Sequence, residues 1–138
     1  MDRAFNNLRI VQWAMLFSIV LYPVIASLVK PPARNLDPAV SYLFTTLGVA
    51  MVGAIFVVRR TLVFRAAASL TTQPDDVLSL SYWQTGYIVT YALCEALALF
   101  GMVQYFLGGS LRQSMPYFIG GLILLLFFSP RKPSTSTL

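Results

Sequence analysis

LSYWQTGYIVTYALCEALALFGMVQYFL, residues 80–107, is the stretch that decides the fold of this chain. An α-helix needs roughly 20 apolar residues to cross about 30 Å of hydrocarbon, so this longer stretch predicts a transmembrane helix that is tilted or protrudes. Glu95 lies near its centre and is the only acidic residue in any apolar stretch of membrane length. An ionised acid at that depth costs at least about 2.5 kcal/mol, which makes Glu95 a hypothesis for a functional site.

The composition of the whole chain is also typical of a membrane protein. Of its 138 residues, 57% are hydrophobic and 11% are charged, whereas about a quarter of the residues of a soluble domain are charged. The net charge is +5. Because the basic residues lie beside the apolar stretches, they indicate topology or contact with the lipid bilayer rather than with nucleic acid. The length fits one domain, residues 1–138.

Three further apolar stretches complete the prediction of an all-α integral membrane protein, with four transmembrane helices in an antiparallel bundle. Residues 10–29 are long enough to span a bilayer, and a retained helix explains them better than a cleaved signal peptide does. Residues 38–58 follow an Asp-Pro pair, which favours a helix start. Residues 114–129 form a marginal fourth span. The polar tail, residues 130–138, is predicted to be disordered.

The distribution of positive charge predicts the orientation. With four spans, the side that holds both termini carries seven basic residues and the other side carries three: Arg3, Arg9, Arg59, Arg60, Arg65, Arg131 and Lys132 against Lys30, Arg34 and Arg112. Basic loops favour the cytoplasm, so the chain is predicted to be a multi-pass protein of the cell inner membrane with both termini cytoplasmic. Binding of anionic lipid or an acidic partner by the Arg59 to Arg65 cluster is the less favoured interpretation.

Glu95 shares one face of its predicted helix with polar and aromatic side chains. At 3.6 residues per turn this face holds Gln84, Tyr87, Tyr91, Glu95, Ala98, Met102 and Tyr105. Tyr91, one turn before Glu95, is the predicted hydrogen-bond partner of the carboxyl group. Two interpretations stay open, because a buried acid either holds helices together or binds a proton or small cation.

Small residues and missing residue types add two further predictions. Gly48 and Gly53 in the second stretch, and Gly101 in the third, predict surfaces where helices approach closely. The chain has no histidine, and its single cysteine, Cys94, is expected to be a buried packing residue. No metal site, no cofactor and no enzymatic activity are therefore predicted.

Residues 92–103, ALCEALALFGMV, resemble the second hairpin helix of the proteolipid, or c, subunit of rotary ATP synthases. That helix carries its ion-binding carboxylate in a run of the type A-x-x-E-A-L-A-I-Y-G-L-V. Glu95 falls on the carboxylate position, and the matching neighbours are Ala96, Leu97, Ala98 and Gly101. The resemblance implies that Glu95 binds a proton or Na⁺ inside the membrane.

The loop before this helix extends the resemblance in part. Gln73 and Pro74 occupy the place of the family's polar R-Q-P loop, which implies a contact with other subunits, although Thr72 stands where the family has arginine. The family's bacterial members are two-helix hairpins, and this chain adds a helix on each side. The whole chain is also similar to small bacterial four-helix membrane proteins that end in a Pro/Arg-rich tail.

These observations predict a small proteolipid-like membrane subunit that works with other membrane subunits or as a homo-oligomer. The alternative is a non-catalytic structural or accessory subunit of a larger membrane complex, in which Glu95 and the glycines only hold helices together.

Overall fold

A computed structural model describes residues 1–31 and 34–133, and within these ranges the chain is helical with no strand. The helices are α1 (Asp2–Leu28), α2 (Pro38–Val58), α3 (Arg65–Thr72), α4 (Val77–Phe106) and α5 (Leu111–Phe127). A π-helical segment (Arg59–Phe64) joins α2 to α3, so that Pro38–Thr72 forms one continuous helix. The all-α prediction is confirmed.

Among the described residues, three helices are long and apolar enough to cross a membrane: α1, the continuous helix Pro38–Thr72, and α4. The fourth, α5, has 17 residues and falls short of the roughly 20 that a spanning helix needs. Three of the four predicted spans therefore have the required length, and the one described as marginal from the sequence is the short one.

The helix ends differ from the sequence prediction where capping and packing decide them. α1 begins at Asp2 rather than near residue 10, because Ala4 and Leu8 are buried and extend its packed face. α4 begins at Val77, where the Asp76 side chain accepts a hydrogen bond from the Leu78 backbone. Such caps satisfy N–H groups that the first helical turn leaves free.

α5 begins at Leu111, three residues earlier than predicted, because a capping box fixes its first turn. Ser110 accepts from the Gln113 backbone N–H, and the Gln113 side chain accepts from the Ser110 backbone N–H. This reciprocal pair satisfies two free donors at once. α5 therefore starts immediately after its cap Ser110, which follows Gly108 and Gly109 in the turn after α4.

α4 lies at the centre of the bundle and packs against α1, α2 and α5. It is antiparallel to α5, because Gly101 lies against the start of α5 while the Tyr91 hydroxyl reaches Phe128 beyond its end. It runs parallel to α1, since Tyr22 contacts Glu95 and Val29 contacts Tyr105. Consecutive long helices thus alternate in direction, as the prediction of an antiparallel bundle requires.

Two of the three predicted packing glycines lie at close helix contacts. A Cβ added at Gly101 would meet the Cβ of Tyr117 at 2.8 Å, and one at Gly48 would meet the Cε1 of Tyr117 at 3.2 Å. Gly53 is different, because an added Cβ would meet no heavy atom of residues 1–31 and 34–133 within 4 Å. Its packing role is not found in this chain, since Gly53 lies on an exposed part of α2.

The first residues of the tail lie against the bundle, in contrast to the predicted disorder. The Lys132 ammonium donates to Asp2 at 2.6 Å, and the Arg131 backbone N–H donates to the Tyr87 hydroxyl at 3.3 Å. These contacts bring the N-terminus and residues 130–133 to the same end of the bundle. Residues 134–138, the rest of the predicted disordered tail, lie outside the described residues.

Candidate functional site

Glu95 lies well inside α4. Along the helix axis it is about 27 Å from Val77 and about 16 Å from Phe106, at a rise of 1.5 Å per residue. Its side chain is half-buried. The carboxyl group is therefore held within the bundle and does not extend to either end of the helix.

Two hydroxyl groups of α1 bind the same carboxylate oxygen. The Ser18 hydroxyl donates to Glu95 Oε1 at 2.8 Å, and the Tyr22 hydroxyl donates to it at 2.7 Å. The two hydroxyl oxygens are themselves 3.0 Å apart, so the three oxygens form a compact triangle. Every side of this triangle has the length of a hydrogen bond.

The local structure of α1 explains why Ser18 and Tyr22 reach Glu95 together. Residues four apart lie one above the other on the same face of a helix. Pro23 follows directly, and because proline has no N–H it cannot donate to the carbonyl of Ile19. Ser18, Tyr22 and the free carbonyl of Ile19 thus bring three polar groups together in about one turn of the apolar second half of α1.

Tyr91, the predicted partner of Glu95, binds elsewhere. It is fully buried, and its hydroxyl donates to the Phe128 carbonyl at 3.3 Å. Side chains on a helix tilt toward its N-terminus, so the ring of Tyr91 extends away from Glu95 and toward Tyr87. The structure therefore replaces Tyr91 by Ser18 and Tyr22 as the hydrogen-bond partners of the carboxyl group.

The predicted loop contact is separate from Glu95. Gln73 and Pro74 follow α3, and both are exposed. They precede α4, whose first residue is about 27 Å along the axis from Glu95. The loop is open to a partner at the end of the bundle, but the structure does not bring it to the carboxyl group.

The donors from α1 were not predicted as site residues. A serine and a tyrosine four residues apart in an apolar helix are a signal that the sequence does contain. The sequence does not show how α1 is rotated about its own axis, and this rotation decides that the pair faces α4 rather than α2. Among the described residues, no three His, Cys, Asp or Glu side chains lie close enough to hold a metal ion.

Arg59 is a second unusual group that the sequence prediction assigned to topology. It is only 8% exposed, although it follows the last residue of α2. Its guanidinium carbon lies 4.1 Å from the ring centre of Phe128, 5.2 Å from that of Tyr87 and 5.6 Å from that of Phe64. Within the part of the chain that the structure describes, Nε and Nη1 of Arg59 are buried without a hydrogen-bond acceptor.

Stacking alone does not offset the burial of Arg59. A desolvated cation–π contact contributes about 2 kcal/mol, whereas the effective penalty for burying an ion is several kcal/mol. Buried charges are normally paired or hydrogen-bonded for this reason. The aromatic rings position the guanidinium group, and its buried donors are left for another acceptor.

Comparisons with known proteins find nothing similar: no protein-family model, no curated protein and no solved structure matches this chain. The resemblance of residues 92–103 to the proteolipid subunit stays a prediction.

Proposed function

We propose that this chain is a small multi-pass membrane protein in which Glu95 takes up and releases a proton between α1 and α4. The observation that carries the proposal is the pair of hydroxyl donors on Glu95 Oε1, deep within a helix that is long and apolar enough to cross a membrane. Acidic side chains within membrane helices mark proton and ion pathways in many transport proteins.

The hydroxyl pair supports a carboxyl group that can exist in both states. Two O–H donors replace part of the hydration that an ionised carboxylate loses in the membrane. The same hydroxyl oxygens can also accept a hydrogen bond from the protonated carboxyl group, because each has free lone pairs. Glu95 is half-buried rather than fully enclosed, so the bundle does not seal it off from a proton donor.

A proton fits this arrangement better than Na⁺. The three oxygens are 2.7–3.0 Å apart, which are hydrogen-bond lengths. They are in contact with one another and leave no central space for a bare cation. Na⁺ binding is the second form of the same proposal and requires these oxygens to move apart.

A structural role for Glu95 is the competing proposal, and one observation favours it. Both donors come from α1, so the carboxylate links α1 to α4. The chain would then be an accessory subunit of a larger membrane complex, or part of a homo-oligomer. In either case its largely exposed α2 is available for lipid or for a neighbouring subunit.

Infrared titration of the reconstituted protein distinguishes the two proposals. A working proton site produces a carboxylic C=O band that appears as the pH falls, and the Glu95→Gln variant lacks this band because Gln cannot ionise. Tyr22→Phe is the matched variant, since it removes one hydroxyl donor and keeps the ring. The proton proposal predicts that the pH dependence of the band differs between this variant and the parent protein, because the Tyr22 hydroxyl contacts the oxygen that would take up the proton.

Labelling with a hydrophobic carbodiimide gives an independent check, because the reagent modifies protonated and accessible carboxyl groups. Labelling of Glu95 that falls as the pH rises supports the proton site. A pH-independent infrared spectrum together with an unlabelled Glu95 would contradict it. Loss of assembly in Glu95→Leu but not in Glu95→Gln would then favour the structural proposal.

The proposed orientation places both termini in the cytoplasm of a cell with an inner membrane. It is supported by the grouping of the N-terminus with Arg131 and Lys132 at one end of the bundle. Cys94 is buried, so cysteines introduced at Thr72 and Ser110 report the two ends separately. An impermeant thiol reagent added outside intact cells is expected to label Ser110→Cys and not Thr72→Cys.

A further inference from the structure

We infer that Arg59, together with Arg131 and Lys132, forms a binding site for a phosphate group at the end of the bundle that holds the N-terminus. The site is a cavity of about 380 Å³ between the π-helical segment, the start of α4 and the residues that follow α5. It is separate from Glu95, and the inference does not depend on the proton proposal.

The cavity has the residues of an anion site. Among the residues that the structure describes, its lining includes three basic side chains and no acidic one. Lys132 is paired with Asp2, which is the only ion pair among residues 1–31 and 34–133. Arg59 and Arg131 therefore supply the positive charge that is not already balanced, and the planar guanidinium group of arginine suits phosphate oxygens.

The unpartnered atoms of Arg59 point to a ligand. With 8% of its surface exposed, the side chain is withdrawn from bulk solvent, and two of its nitrogens are buried with no acceptor among the described residues. Rings of Phe64, Tyr87 and Phe128 surround the guanidinium group. Arg59 lines the cavity, so a rotation of its side chain toward a bound phosphate would give these nitrogens acceptor oxygens.

The backbone explains how an arginine so close to an apolar helix comes to face inward. Arg59 is the first residue of the π-helical segment, and such widened turns are frequent at functional sites. Arg59 and Val63 are buried, whereas Arg60 is exposed. Gly86 allows this turn to approach α4, because an added Cβ there would lie 2.6 Å from Val63 Cγ2.

The apolar part of the lining suits the acyl chain of a phospholipid. Phe56 and Phe127 line the cavity and also expose more than half of their surface on the outside of the bundle. A phosphate bound by Arg59 can therefore belong to an anionic lipid whose chains lie along these rings. The same phosphate chemistry also fits a soluble phosphate compound, and the experiment distinguishes the two sources.

Fluorescence of Trp83 measures binding directly, because this tryptophan lines the cavity. The chain has two tryptophans, and Trp13 is 65% exposed, so Trp13→Phe leaves Trp83 as the only reporter. The full chain in mild detergent is titrated with dibrominated phosphatidylglycerol, whose bromine atoms quench nearby tryptophan. Dibrominated phosphatidylcholine and inorganic phosphate are the two comparison probes.

We expect saturable quenching by the phosphatidylglycerol probe. In Arg59→Met this binding is expected to weaken by roughly tenfold or more, because a hydrogen-bonded charge is removed. Arg60→Met is the matched control, with the same loss of charge on the exposed neighbour, and should bind within about twofold of the parent. If inorganic phosphate displaces the bromolipid with the same dependence on Arg59, the natural source is a soluble phosphate compound.

Equal quenching by both bromolipids, without competition by phosphate, would overturn the inference. Equal weakening by Arg59→Met and Arg60→Met would overturn it as well, since only general charge would then matter. If Arg59→Met loses native helical content, Arg131→Met supplies the same comparison with Arg60→Met, because Arg131 is an exposed residue of the lining.

Discussion

Replacing Gly101 by alanine tests the packing between α4 and α5. The added Cβ would lie 2.8 Å from the Cβ of Tyr117 and 3.0 Å from the carbonyl oxygen of Ser114. Both atoms are fixed to the backbone of α5, so the contact is relieved only if the helices move apart. Gly53→Ala is the matched control, because the added Cβ meets no heavy atom of the described part of the chain within 4 Å.

The comparison between Gly101→Ala and Gly53→Ala isolates the free-energy cost of the steric contact. Alanine in place of glycine stabilises a helix interior by roughly 0.5–1 kcal/mol, and both variants receive this gain. Overpacking a tight contact costs typically about 1–3 kcal/mol, and only Gly101→Ala incurs it. Gly101→Ala is therefore expected to be less stable than Gly53→Ala by about 1–3 kcal/mol.

Unfolding in mixed micelles by increasing amounts of sodium dodecyl sulfate, followed by circular dichroism, measures this difference. Gly53→Ala is expected to unfold at or above the transition of the parent protein, and Gly101→Ala at a lower fraction of the denaturing detergent. If the unfolding free energies of the two variants agree within about 0.5 kcal/mol, which is the usual scatter between mutations at independent sites, the contact between α4 and α5 does not have the geometry described.

Three further predictions concern hydrogen bonds. Tyr22→Phe removes one of the two hydroxyl donors to Glu95 and is expected to lower the free energy of unfolding by about 1–3 kcal/mol, which the same detergent titration would reveal. Gln12→Ala removes the buried amide that joins α1 to the end of α5 and should cost about 1–3 kcal/mol; an unchanged transition in the same titration would contradict this. The hydrogen bond from Ser79 holds the pKa of Asp76 below its usual value. The ionised Asp76 therefore stabilises the folded protein above the pKa that Asp76 has in the unfolded chain, and this stabilisation is lost as the pH falls through the lower pKa of the folded state. Asp76→Asn should remove this part of the pH dependence, as melts below pH 5 would show.

The sequence predicts the helices better than their contacts, for a physical reason. A chain in hydrocarbon must satisfy its backbone hydrogen bonds locally, so a long apolar stretch is enough to predict a helix. α2 was predicted with both of its observed ends, because an Asp-Pro cap begins it and the arginines that follow Val58 end the apolar stretch. Its continuation through the π-helical segment has no comparable local signal.

Contacts between helices depend on rotation and tilt, which a local pattern does not fix. The sequence predicts Glu95 as a site residue because a carboxyl group in a membrane helix is unusual whichever way the helix is rotated. Its partners were missed because Tyr91 is near in sequence, whereas Ser18 and Tyr22 are more than seventy residues away. Gly53 was predicted as a packing residue by its type alone, although α2 turns that face outward.

The two unusual charged groups must be explained separately, because neither can compensate the other. Tyr87, which contacts Arg59, precedes Glu95 by two turns of α4, or about 12 Å along the axis. For scale, opposite charges about 12 Å apart attract by about 1.4 kcal/mol at an effective dielectric constant of about 20. Burial of either ion costs several kcal/mol, so each needs a partner of its own. Glu95 has two hydroxyl groups, whereas Arg59 has aromatic rings and, among the described residues, no acceptor for two of its nitrogens. The proposed anion would supply both the opposite charge and the acceptor oxygens.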